Sequence, residues 1–290
     1  MTSNERKESL LRIGKIPYAN LFPIFYMLQK ECDWSKYEFI EGVPSALNRL
    51  LRSGDIDISP SSSIEYLRCE SQYALIDDHS ISSKGPIGSI LLLTKNPVEE
   101  LGGKVILVSS QSETSVALLD IILKKFCGIE CFLMSSCESL DFLISKADAF
   151  LVIGDEALKA KKTVTNYELQ IRGDKDSSLP HVYDLGDLWY RNTGLPFVFA
   201  LWIARKDCFA EKAELLGIFI RDLHKAKDLA LQNLEKIARE LKPLLLSRQS
   251  VNITEEELIS FWKGISYDLT EEQRRGLELF RKYSEELGLL

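Results

Sequence analysis

The chain has 290 residues, of which 45% are hydrophobic and 27% charged, and its formal charge is −7. That length holds two lobes with separate cores, and the composition is that of a globular protein. A negative balance with no block of five or six like charges argues against a nucleic-acid surface, because neutralising phosphates takes clustered Lys and Arg.

From the N-terminus, Met1 to Glu8 is polar and of mixed charge. It lacks the roughly 7–15 apolar residues of a secretory signal, and no later run of about 18 apolar residues suits a membrane. No membrane partner is expected, and the expected location is cytoplasmic. Leu11 to Ile16 reads as a strand ending at Pro17-Tyr18-Ala19-Asn20. Leu21 to Lys30 reads as a helix with Pro23 in its first turn. Tyr37 to Ile40 is a second strand, and Pro44 to Arg52 an amphipathic helix stopped by Gly54. Asp55 to Ser59 reads as a strand, with Ser61, Ser62 and Ser63 offering cap oxygens to a helix from Ile64 to Cys69. Asp77 and Asp78 fall in an expected loop, and Ser80 to Ser89 forms a serine-rich turn feeding the apolar run Ile90 to Leu93. The alternation predicts a mostly parallel sheet with helices on its faces.

After Thr94 the pattern restarts. Asn96-Pro97 opens a turn, Glu99 to Gly103 is a short connection, and Lys104 to Ser109 is a strand. Ser109 to Ser115 leads into an apolar helix over Val116 to Phe126. Ala149 to Ile153 is a strand whose end, Gly154-Asp155, opens a helix over Glu156 to Lys161. Lys175 to Leu179 reads as loop, and Phe197 to Ala204 as a long strand returning to the first lobe. The predicted class is therefore α/β with two lobes: residues 1–93 with 199–290, and residues 94–198. From Cys208 onward the chain is helical, with Pro243 expected to break the run Ala213 to Leu246. Asn252 or Thr254 caps Glu255 to Gly264, and Thr270 caps Glu271 to Leu287.

Chemistry is expected where strands end in small polar residues before helices: at Asn20, at Ser61 to Ser63, at Ser112 to Ser115 and at Gly154-Asp155. A helix start leaves free N–H groups and partial positive charge, which suits a carboxylate or phosphate. In open α/β sheets ligands gather beyond the carboxyl ends of the strands. Ordinary helix capping explains any one such turn; four turns in two lobes point to a shared cleft for a small anion. Six cysteines, at 32, 69, 127, 131, 137 and 208, include no CxxC pair, and His79, His181 and His224 are scattered. No metal site is expected from those spacings. GxSxG, GxGxxG and GxxxxGK[ST] are missing, against a serine hydrolase, a dinucleotide or ATP.

Ile16 to Pro23, Gly54-Asp55-Ile56-Asp57, Ser80 to Ser89, Ser112 to Ser115, Ile153 to Leu158 and Thr193 to Trp202 together resemble the MqnA family, the chorismate dehydratases of the futalosine route to menaquinone. The resemblance spans about Arg12 to Tyr283. The related MqnD enzymes carry a Ser-Pro-x-x-Asn-Asp-Thr type start where this chain has Pro17-Tyr18-Ala19-Asn20. The resemblance implies a fold like the type II periplasmic binding proteins, with two crossovers between lobes. It also implies conversion of dianionic chorismate to 3-[(1-carboxyvinyl)oxy]benzoate with no metal or organic cofactor.

The motif positions are mainly Asn, Ser and Thr, which are poor bases. The expected proton acceptor is therefore the substrate's own enolpyruvyl carboxylate, with Asn20 and Ser89 as catalytic residues orienting it and bonding the departing oxygen. Ser112, Thr114 and Ser115 are expected to hold the ring carboxylate, with Tyr18, Ser61, Ser62, Gly154 and Asp155 completing the binding site. His79 is the alternative base by its ordinary pKa, and Lys84 departs from the family's small or acidic residue. Two other readings stand beside this one: a non-catalytic receptor for a small organic acid on the same fold, and an MqnD-type lyase. Nothing in the residues sets an oligomeric state.

Overall fold

The computed structural model describes residues 10–138, 140, 142–143, 147–170, 181–249 and 253–290. The N-terminal octapeptide, the loop expected over Lys175 to Leu179 and the alternative cap Asn252 lie outside the described residues.

Two five-stranded sheets organise the molecule. The first uses β1 (Leu11–Lys15), β2 (Tyr37–Glu41), β3 (Ile58–Ser62), β4 (Tyr73–Ser83) and β10 (Phe197–Arg205), in the order β2-β1-β3-β10-β4. The second uses β5 (Ile90–Thr94), β6 (Val105–Ser109), β7 (Phe132–Ser136), β8 (Ala149–Ile153) and β9 (His181–Asp184), in the order β7-β6-β8-β5-β9. Four strands of each sheet point one way, and the fifth, β10 in the first sheet and β5 in the second, pairs antiparallel with both of its neighbours. The sheets are thus mixed, each with a single strand opposed to an otherwise common direction. β10 and β5 follow passages between the sheets and enter against the direction of their neighbours.

Helices cover both sheets. In the first lobe α1 (Phe22–Glu31) buries Ile24, Phe25 and Leu28, and α2 (Pro44–Ser53) ends at Gly54, whose φ of 82° only glycine adopts readily. A short α3 (Ser63–Arg68) follows β3. In the second lobe α4 (Glu113–Ile121) continues into a π-helical turn over Ile122–Cys127, α5 (Gly154–Gln170) follows β8, and α6 (Leu185–Thr193) follows β9. The C-terminal helices are α7 (Lys206–Glu211), α8 (Ala213–Gln232), α9 (Leu234–Gln249), α10 (Glu255–Lys263) and α11 (Glu271–Glu286). Capping boxes at Thr254 and Thr270 start the last two, as their sequences predict. Trp202 is core, wedged between Phe25 and Phe219.

Several sequence expectations shift. Ser80 to Ser83 form the end of β4 instead of a turn, paired with Leu201 to Phe197 of β10. Their hydroxyls turn to backbone carbonyls: Ser80 donates to Asp268, Ser82 to Ser266 and Ser83 to Gly85. Asp77 and Asp78 also belong to β4, where Asp78 takes a φ of 65° at the ladder's irregularity. The strand expected at Asp55 begins only at Ile58, because the N–H groups of Asp55 and Ile56 still close the end of α2 on Leu50 O. Ser61 and Ser62 are therefore strand residues. Pro243 does not break α9, which runs through it; a proline in a helix removes one backbone bond without ending the helix when packing holds both sides.

Asp57, 2% exposed, ties this lobe together. Its carboxylate accepts from the backbone N–H of Arg12 at 2.8 Å, from the Arg12 guanidinium at 2.6 and 3.2 Å, and from Lys212 Nζ at 2.7 Å. One side chain so links β1, the entry to β3 and the start of α8.

Candidate functional site

The turn after β1 carries the first candidate residues. Ala19–Leu21 is one 3₁₀ turn, closed by Leu21 N–H on Tyr18 O at 3.1 Å. Two C-terminal side chains hold its carbonyls: Trp262 Nε1 donates to Ala19 O at 2.8 Å, and Tyr267 hydroxyl to Asn20 O at 2.6 Å. The side-chain oxygen of Asn20 is buried and has no protein partner. An unsatisfied buried oxygen costs about 1–3 kcal/mol, a cost that a bound donor would remove.

The second lobe meets this turn directly. Ala19 N–H donates to Asp155 Oδ1 at 3.1 Å, and Tyr18 hydroxyl to Gln111 Oε1 at 2.5 Å. The Tyr18 ring lies over Gly154, which has a φ of 59°; a Cβ there would stand 3.1–3.3 Å from ring carbons. Burial, with Asp155 and Glu156 adding, raises the Tyr18 phenol well above its usual value, so it serves as a neutral donor. Gly154→Ala is expected to lower stability by about 1–3 kcal/mol through its positive φ and the crowded ring, measured by thermal unfolding.

Ser89 meets Gly154, its carbonyl accepting Gly154 N–H at 2.7 Å. The loop before it is anchored by Asp184, whose carboxylate accepts Ile87 N–H at 3.0 Å and Gly88 N–H at 2.6 Å. The same carboxylate caps α6 through Gly186 and Asp187. Burial pushes Asp184 upward, and its four N–H donors hold it back.

The other two candidate turns also touch. Ile64 N–H, at the start of α3, donates to Thr114 Oγ1 at 3.0 Å. Ser62 holds the cap position of α3 but makes no cap bond; its hydroxyl accepts from Asn48 Nδ2 at 3.1 Å. Ser63 hydroxyl donates to Val198 O at 2.6 Å. Ser61 Oγ and Asn48 Oδ1 are buried without partners. Ser112 caps α4 by accepting Ser115 N–H at 3.3 Å, with the two hydroxyls 2.9 Å apart. The four polar turns thus form one contiguous seam: Tyr18–Ala19 on Gly154–Asp155, Tyr18 on Gln111, and Ile64 on Thr114.

His79 and Lys84 make none of these contacts between the turns. His79 is 1% exposed, its ring 4.3 Å from that of His224, and burial drives it down to about 3, with Lys227 and His224 adding to the shift. A histidine so enclosed is a poor proton acceptor for a ligand. Lys84 pairs on the surface with Glu272 at 2.8 Å. Among the described residues, no group of three or more His, Cys, Asp or Glu is placed to hold a metal, and no helix is long and apolar enough to cross a membrane.

Sequence reasoning did not find Gln111, Asp184, Asn48, Trp262 or Tyr267. Asp184 carried a signal, as a helix cap before Leu185-Gly186-Asp187. Trp262 and Tyr267 carried none, since their partners lie 243 and 247 residues away.

A family described as menaquinone biosynthesis matches residues 11–286. The chain is 31% identical to a chorismate dehydratase of Thermus thermophilus over 96% of its length and 95% of that protein. It is 30% identical to a chorismate dehydratase of Campylobacter jejuni over 77% of its length and 80% of that protein. Among solved structures, an Archaeoglobus fulgidus protein superposes with a TM-score of 0.74 at 19% identity, covering 97% of this chain and 99% of that one. The periplasmic aliphatic sulphonate binding protein SsuA of Escherichia coli superposes with a TM-score of 0.64 at 17% identity, covering 97% and 88%. These neighbours show the periplasmic-binding-protein fold.

Proposed function

The chain belongs to the menaquinone-biosynthesis family, and on that premise we propose that it is a hydro-lyase dehydrating chorismate to 3-[(1-carboxyvinyl)oxy]benzoate in the seam between its lobes. Support for the site comes from the contact of Tyr18 and Ala19 with Gly154 and Asp155 and of the Ser89 carbonyl with Gly154, which links the turn carrying Asn20 and the segment carrying Ser89 to the same Gly154–Asp155 step.

In the reaction the ring carbon bearing the ether loses its proton, and the neighbouring carbon loses hydroxide. The electron pair of the broken C–H bond completes the aromatic ring, and the proton and hydroxide leave as water. Aromatisation supplies the driving force; the protein's part is orientation and stabilisation of the departing oxygen. Asn20, with its unpartnered buried oxygen, and Ser89 are the catalytic residues. They hold the substrate's enolpyruvyl carboxylate over the C–H bond as proton acceptor and hydrogen-bond the leaving hydroxyl. The enclosure of His79 favours this substrate-assisted route over a histidine base. The start of α4, with Ser112, Thr114 and Ser115, receives the ring carboxylate of the dianion. Ser61, Ser62, Gly154 and Asp155 shape the remainder, and Tyr18 covers the ring.

The test is incubation of the purified protein with chorismate. A substituted benzoate 18 mass units lighter is expected by mass spectrometry and absorbance, the difference being one water. Binding without product would favour the receptor reading; neither binding nor product would favour an MqnD-type lyase.

A further inference from the structure

We propose that Trp262 and Tyr267 are positioning residues for the reaction, fixing the direction of the Asn20 side chain through the backbone on either side of it. This deepens the functional reading above and rests on it.

The geometry is a pair of anchors on consecutive peptide units. Trp262 Nε1 holds Ala19 O, the carbonyl of the peptide before Asn20 Cα; Tyr267 hydroxyl holds Asn20 O, the carbonyl of the peptide after it. Peptide units are planar, so the backbone at a residue has only two soft rotations. Pinning the carbonyls on both sides fixes both rotations and hence the Cα–Cβ direction. The Asn20 amide has no protein partner at its oxygen to hold it, so its aim depends on this backbone.

The anchors are themselves rigidly held. Trp262 is 0% and Tyr267 2% exposed. The segment carrying Tyr267 is stitched to β4: Ser82 and Ser266 exchange backbone bonds at 2.9 and 2.8 Å, and Ser80 N–H donates to Tyr267 O at 3.0 Å. Tyr267 thereby refers the position of Asn20 to the first sheet. The C-terminal helices are thus part of the site's scaffold, although they contribute no candidate catalytic side chain.

A packing role alone would lower stability without changing turnover by the folded protein. The discriminating variant is Tyr267→Phe, which removes one oxygen and keeps the ring; Trp262→Phe is the second. Tyr37→Phe is the control, because it removes a comparable bond to Asp222 at 2.6 Å on the far side of the lobe. Four quantities are measured on the full chain: kcat and KM with chorismate, thermal midpoint, and hydrogen exchange of the amides of residues 18–22.

For Tyr267→Phe, kcat is expected to fall about tenfold or more, with KM within about twofold and the midpoint within a few degrees. Exchange in the turn should quicken, and Tyr37→Phe should leave kcat and that exchange unchanged. Wild-type kcat in Tyr267→Phe overturns the proposal, as does a loss of kcat with the turn's exchange unaltered. If the wild-type protein fails to turn over chorismate, the functional reading falls by itself. The exchange result then still decides the anchoring: an unaltered turn overturns it, and a quickened turn upholds it.

Discussion

Replacing Asn20 and Ser89 together by alanine is expected to lower kcat on chorismate about a thousandfold, with the dissociation constant moving by about threefold or less. One well-placed hydrogen-bonding group at a developing charge is worth about 10²–10³ in rate. Two that act on the same leaving group do not multiply fully, which places the pair near 10³ instead of its square. Binding moves little because the carboxylates of the substrate are assigned to other groups, chiefly the start of α4. Steady-state kinetics with chorismate, paired with calorimetric binding, separates the two quantities. Unchanged kcat in the double variant would remove both residues from the chemistry.

The largest expected effect on stability comes from Asp57→Ala, a loss of about 3–5 kcal/mol, read from urea unfolding at neutral pH. The substitution leaves the Arg12 guanidinium and the Lys212 ammonium facing each other where one carboxylate had accepted four bonds from them and the Arg12 backbone. Burial alone would push Asp57 upward; the donors from Arg12 and Lys212 outweigh it, and the carboxyl lies below its ordinary range. With a lowered pKa in the folded state, the stabilisation is whole above the unfolded carboxyl's value near pH 4. It is lost as pH falls through the lower folded value. The stability gap between wild type and variant should therefore close in acid and stay constant from about pH 5 upward. A gap independent of pH down to about 2 would contradict the assignment.

The architecture was largely legible in the sequence because apolar runs and helix stops announce it locally. Gly54, Thr254 and Thr270 each mark a boundary with its own chemistry, and each holds its predicted place. β4 escaped notice because its serines look like a turn, while in the fold they bond to backbone carbonyls of the segment after α10. β7 and β9 are short edge strands, and edge strands are weakly patterned where only one neighbour holds them. The polar turns were legible too: all four candidates touch across the lobes. Their mutual arrangement was not, since it depends on Tyr18 fitting over a glycine of positive φ and on a threonine accepting a bond from Ile64. Trp262 and Tyr267 show the limit most plainly. Each works by holding someone else's backbone, a role that leaves little trace in the order of residues.

The insertion of β10 between β3 and β4 has a consequence for how the chain assembles. All strands of the second sheet come from one contiguous stretch, whereas the first sheet lacks its fourth strand until Phe197–Arg205 has been made. During synthesis the nascent chain therefore holds β3 and β4 with open edges while the later-encoded sheet completes itself. Refolding should follow the same order, the second sheet gaining protection first and the first sheet closing last, its unpaired edges being where crowded refolding mixtures clump.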